Sequence, residues 1–141
     1  MKELKDFRKI FFLISVIFFV GCNKKEYIRY DQNISKEKIE CLGLDPLNSK
    51  ALNKDILPLF NFKKDCKYKI SLSGKSDIVC NSSFNSSRKA TSAFPSSYLR
   101  LELKRGMDTL FSYYVDLTSP PSSSDVKRAF EVMQKYIKLK Q

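Results

Sequence analysis

Four cysteines and no histidine bound what this 141-residue chain can do chemically. Without an imidazole there is no Ser-His-Asp triad, no Cys-His pair and no zinc site that contains histidine. Cys41, Cys66 and Cys80 lie 25 and 14 residues apart, which matches no compact metal-ligand pattern. No G-x-S-x-G elbow, S-x-x-K nucleophile motif or glycine-rich phosphate loop occurs. Glu102, Asp108 and Asp116 are isolated carboxylates, and Tyr113 and Tyr114 read as sheet residues. No catalytic residue, metal or cofactor is assigned, and the chain reads as a binding protein rather than an enzyme.

The fourth cysteine belongs to a different pattern. Lys2, Lys5, Arg8 and Lys9 precede an apolar run, Ile10 to Val20, that is interrupted only by Ser15. Eleven residues are too few to cross a bilayer, and a short apolar stretch behind a positive one is a secretory signal. The run ends in Phe19-Val20-Gly21-Cys22, which resembles the lipobox of bacterial lipoproteins. That resemblance implies cleavage after residue 21 and lipidation of Cys22, whose two or three acyl chains anchor a protein stably where one would not. Asn23 stands where inner-membrane lipoproteins of enteric bacteria carry Asp, which implies the outer membrane, lipid-anchored and periplasm-facing. An oxidising compartment favours one disulfide and one free thiol among Cys41, Cys66 and Cys80.

Two further features point outward. Asp31-Gln32-Asn33-Ile34-Ser35 resembles the extended acceptor sequon of bacterial periplasmic oligosaccharyltransferases, which implies Asn33 as a glycosylation site. Residues 66–105 carry eight basic and two acidic side chains, net +6 of the +9 that remains once residues 1–21 are removed. Strand alternation aims Lys67, Lys69, Arg100 and Lys104 at solvent, either as a solvated face or as a surface for an anionic envelope partner. Nucleic acid is not expected as a partner of an exported lipoprotein, and no RNA-binding aromatic signature argues for it. The expected partners are the membrane, through the acyl chains, and an envelope protein or lipopolysaccharide.

These residues must be positioned by elements whose periods can be read along the chain. Residues 22–33 lack apolar periodicity and read as a lipidated N-terminus and tether, leaving 34–141 as a single domain. Ser35 can N-cap a helix to about Leu42, with Ile34 and Ile39 as a hydrophobic staple and Gly43 as the stop. A second helix over 49–57 is ended by Pro58. Alternation over 66–72 and 78–84 predicts a hairpin pairing Leu72 with Ile78 and Ile70 with Cys80. In that register Cys66 and Cys80 are about 13 Å apart, too far to bridge, so Cys41 is one disulfide partner and Cys66 is favoured as the other.

Residues 82–97 hold seven serines and read as a loop. Leu99, Leu101 and Leu103 then alternate with Arg100, Glu102 and Lys104, and a turn of Gly106, Met107 and Asp108 brings Leu103 opposite Phe111 and Leu101 opposite Tyr113. After Pro120 and Pro121, Ser122 to Ser124 can cap a helix to about Lys138, with Val126, Ala129, Phe130, Met133 and Ile137 on one stripe. The expectation is an α+β fold: a mainly antiparallel four-stranded sheet backed by a C-terminal amphipathic helix. In outline that is similar to the small lipoprotein that plugs the outer-membrane lipopolysaccharide translocon, except that a polar tether replaces a strand soon after the lipid cysteine. The resemblance implies direct binding of an anionic glycolipid, as an alternative to an envelope binding or assembly accessory.

Overall fold

The computed structural model describes residues 24–78 and 95–139. The signal segment, Cys22, Cys80 and most of the serine-rich loop lie outside the described residues. The best-formed unit is the hairpin of β5 (Ser97–Arg105) and β6 (Asp108–Leu117), whose pairs include Leu103 with Phe111 and Leu101 with Tyr113, as expected. The turn is tighter than the three residues anticipated, because Arg105 pairs with Asp108 and a bulge between Leu103 and Lys104 takes up the slack. Gly106 opens that turn at φ 62°, a conformation that a side chain would strain.

The main sheet has five strands rather than four, in the order β1-β6-β5-β4-β3. The additional outer strand is β1 (Glu26–Tyr30), antiparallel to β6. The reading of 22–33 as a tether is therefore corrected over these residues: Tyr27, Ile28 and Tyr30 are good strand formers once a partner edge is present. On the other side, β4 (Tyr68–Lys75) pairs antiparallel with β5, and the short β3 (Gly43–Leu44) pairs parallel with β4. Of the second strand of the expected hairpin of 66–72 with 78–84, all but Ile78 lies outside the described residues. Ile70 and Leu72 face Leu103 and Leu101 instead, and β3 occupies the other edge of β4 at Ile70.

The helix expected over 35–42 is also absent. A single 3₁₀ turn, Ile34–Lys36, leads into β2 (Lys38–Ile39), which pairs parallel with β7 (Lys138–Leu139) in a two-stranded sheet. Pairing with the C-terminal strand overrides the local helical pattern. Gly43 does not stop a helix. Its Cα lies where a Cβ would come 2.8 Å from the Lys63 carbonyl, so its absent side chain permits close packing.

Helix α1 (Lys50–Ile56) is capped by Ser49, whose hydroxyl accepts from the Leu52 amide, and Pro58 sits inside the 3₁₀ turn that follows, Leu57–Leu59. Helix α2 (Ser123–Gln134) starts at a capping box: Ser122 accepts from the Asp125 amide while its own amide donates to the Asp125 carboxylate. It ends four residues before the expected Lys138, because Lys135 and Tyr136 close short turns onto Val132 and Met133 and release Ile137 and Leu139 toward β2. Val126, Ala129, Phe130 and Met133 are buried against Leu99, Leu101, Leu103, Phe111, Tyr113 and Val115. Each such fully buried side chain contributes about 1.5–3 kcal/mol of apolar stabilisation. This core lies on one face of the sheet only.

A disulfide joins Cys41 to Cys66 with Cα atoms 5.8 Å apart, the pairing favoured by the sequence. It ties the segment carrying β3 and α1 to the start of β4.

Candidate functional site

The face of the main sheet opposite α2 is where alternation puts the polar residues of four adjacent strands. From β4 come Lys69, Ser71 and Ser73; from β5, Tyr98, Arg100, Glu102 and Lys104; from β6, Ser112, Tyr114 and Asp116; from β1, Tyr27 and Arg29. Lys69 stands directly opposite Lys104, and the latter is held by an ion pair to Glu102 at 3.1 Å. Lys69, Arg100 and Lys104 thus share this face as expected. Lys67 does not join them. Strand β4 begins only at Tyr68, so alternation does not govern Lys67, and its ammonium lies 5.4 Å from the Tyr68 ring, on the side of Glu37.

A tyrosine ladder crosses the open face. Tyr98 stacks on Tyr114 with centroids 5.5 Å apart and planes 22° from parallel, and Tyr27 lies tilted against Tyr114 at 6.0 Å. The Arg100 guanidinium sits 5.6 Å from the centre of the same ring. Burial, then the hydrogen bond that the Tyr114 hydroxyl donates to Asp116 at 3.0 Å, push that hydroxyl's pKa up and keep it protonated.

Beside the ladder the register places the small Ser112 between Arg29 on one side and Glu102 on the other. Long neighbours around a short residue leave a groove of about 640 Å³, walled by Tyr27, Arg29, Asp31, Arg100, Glu102 and Tyr114, in which Asp31 accepts from the Asn33 N–H and Glu102 pairs with Lys104. Among the described residues neither Arg29 nor Arg100 is in an ion pair, so two guanidinium forks face this groove uncommitted to a carboxylate. A larger hollow of about 780 Å³ lies at the disulfide, lined by Lys63, Lys64, Glu40 and Asp65, with no aromatic ladder beside it.

The helix side of the sheet carries two other charge clusters. The Tyr68 hydroxyl donates to Glu37 at 2.6 Å and Arg105 bonds the other carboxylate oxygen, so Glu37 is held below its ordinary pKa, chiefly by the tyrosine hydrogen bond. Glu26 is held down likewise by Arg128. Both couple strands to neighbouring elements, and neither lines a cavity. Among the described residues no group of three potential ligands lies close enough to hold a metal ion, and no helix is long and apolar enough to cross a membrane.

Asn33 is exposed at the start of the 3₁₀ turn; its backbone N–H donates to Asp31 at 2.8 Å and its side chain caps nothing. Ser35, expected to cap a helix, lies inside the turn. The sequence reading missed the tyrosine ladder and Arg29. The signal was present in Glu26-Tyr27-Ile28-Arg29-Tyr30, whose alternation puts Tyr27 and Arg29 on one face, but no apolar partner strand lies nearby in the chain.

The chain matches no protein-family model, no curated protein and no solved structure. Function is therefore argued from the site alone.

Proposed function

We propose that the chain is a lipoprotein of a bacterial outer membrane, lipidated at Cys22 and facing the periplasm, that acts as a non-enzymatic binding or assembly accessory of the cell envelope. The observation that carries this reading is the open sheet face. One face of the sheet is sealed by α2, whereas the other presents Arg29, Lys69, Arg100 and Lys104 with three tyrosines and no covering element among the described residues. A surface serving only solubility does not require aromatic rings stacked between its cations.

The corrected position of the first strand sharpens the reading. With β1 beginning at Glu26, four residues after Cys22, the leash is at most about 14 Å long. A lipidated Cys22 therefore keeps the sheet beside the headgroups, within reach of anionic envelope components. The test is a crosslinking pull-down from intact envelopes with wild-type protein, Cys22→Ala and Lys69→Gln/Lys104→Gln. Cys22→Ala should leave the membrane fraction, and the lysine variant should recover less partner, with the loss largest at low salt. Unchanged membrane retention and mass of Cys22→Ala would sink the anchoring claim. A second reading, direct binding of an anionic glycolipid, is favoured by the groove.

A further inference from the structure

We infer that the groove over Ser112 is a subsite for a phosphorylated sugar, the headgroup of an anionic envelope glycolipid, with the phosphate between Arg29 and Arg100 and the sugar ring against Tyr27. The inference rests on the binding-module reading above and names the occupant of its face.

The geometry follows from the register. Arg29, Ser112 and Glu102 form one row across β1, β6 and β5, and Tyr27, Tyr114 and Arg100 form the next. Arg29 and Arg100 are thus diagonal, two strands and one row apart, or about 12 Å between Cα atoms from ordinary strand spacing. Two side chains of that length can both reach a group a few ångströms wide midway between them, between Ser112 and Tyr114 on β6. Two uncommitted guanidinium groups match the double charge of a phosphate monoester, and their planar forks suit its oxygens. Glu102 and the Ser112 hydroxyl supply an acceptor and a donor for sugar hydroxyls, and the exposed Tyr27 ring supplies apolar surface for its C–H groups.

A single-stranded nucleic acid fits less well. It needs bare ring faces for its bases, but Tyr114 is already engaged by Tyr98 and Arg100. It also needs a continuous basic track, which Glu102 and Asp116 interrupt on this face.

Detergent-solubilised full-length protein would be titrated with a phosphorylated glucosamine disaccharide, the same disaccharide without phosphate, inorganic phosphate, and an oligonucleotide. Three of the seven tyrosines form the ladder and there is no tryptophan, so a change in tyrosine emission on titration serves as the binding readout. Expected is saturable binding of the phosphorylated disaccharide, with at least tenfold weaker binding of the other three probes. Arg29→Gln/Arg100→Gln should weaken it at least tenfold, and Ser112→Phe, which fills the groove without changing charge, should do the same. Lys63→Gln/Lys64→Gln, which removes as much charge at the disulfide hollow, should change it less than threefold, and circular dichroism should be native for every variant. Equal binding of inorganic phosphate or oligonucleotide would overturn the sugar assignment. Retained binding in Ser112→Phe would overturn the groove, leaving only diffuse charge. In the envelope pull-down, an arginine variant that recovers the same partner as wild type defeats this inference alone. A wild type that recovers nothing defeats the binding-module reading itself.

Discussion

Glu26 and Arg128 stand 102 residues apart in the chain and bind the first strand to the last helix: Arg128 Nε donates to one carboxylate oxygen at 2.6 Å and its terminal nitrogen to the other at 3.4 Å. Lys24 repeats the connection to Asp125 at 2.6 Å. Arg128 and Lys24 are more than half exposed, so each pair contributes only about 0.2–1 kcal/mol and is screened by salt. Their value lies in holding β1 in register beneath α2.

These contacts make the fold sensitive to acid. Glu26 is lowered mainly by the Arg128 hydrogen bond, and Glu37 mainly by that of Tyr68. At Asp125 burial pushes upward, but Lys24 and Ser122 together outweigh it and the net direction is down. Carboxyls depressed in the folded state contribute stability that is complete above their unfolded values and lost as pH falls through the folded ones. The melting temperature should therefore stay level down to about pH 5 and drop below the ordinary glutamate value of 4.5. Glu26→Gln/Asp125→Asn should show a shallower acid limb in thermal melts; superimposable limbs would refute the assignment.

Asn48 is buried and completes the edge of β4 where the two-residue β3 stops. Its amide donates to the Ile70 carbonyl and Asn53, and its oxygen accepts from the Leu72 amide at 2.7 Å. Asn48→Ala should cost about 2 kcal/mol by orphaning the Leu72 N–H. Urea denaturation would measure it, and faster hydrogen exchange at Leu72 should accompany it.

Ser97 is 2% exposed and its hydroxyl has no hydrogen-bond partner among the described residues. Ser97→Ala should stabilise the domain by about 1 kcal/mol because it removes a desolvated, unpaired group. A lower urea midpoint for the variant would show that the hydroxyl is satisfied in solution.

The Cys41–Cys66 bridge closes a loop with a sequence separation of 25. Chain-entropy reasoning puts its contribution at about 3.5 kcal/mol. Peptide mapping without reductant should recover those two cysteines joined, and reduction should lower the melting temperature. A Cys66–Cys80 peptide would be the wrong result.

Asn33 should accept a glycan when the protein is made in a host with a periplasmic oligosaccharyltransferase. Its side chain is exposed, and the acidic residue of the motif, Asp31, shares the same turn. Intact mass would drop by one glycan in Asn33→Gln; equal masses would rule the site out.

What could be read from sequence tracks how local each partner is. The β5–β6 register was legible because alternation is unbroken on both sides of Gly106, and α2 because its stripe and capping box are contiguous. β1 was not legible because its partner residues lie some eighty positions onward and Lys24, Lys25 and Glu26 give it a solvated look. The two-residue strands β2 and β3 are too short to carry a period. The candidate site was legible by half for the same reason: Lys69, Arg100 and Lys104 lie on strands with clear alternation, whereas Tyr27 and Arg29 are on the strand mistaken for a tether, and Tyr98 follows the serine-rich loop.

The distance along the chain between paired strands fixes an order of events. β1 waits for Phe111 to Val115, and Ile39 of β2 waits for Leu139. A chain emerging N-terminus first holds β1 unpaired until Val115 has arrived and Ile39 uncovered until Leu139 has. A protein delivered in this order must be kept from pairing with its neighbours on the way, and removal of only the final residues from Lys138 onward should leave the other end of the molecule unlatched.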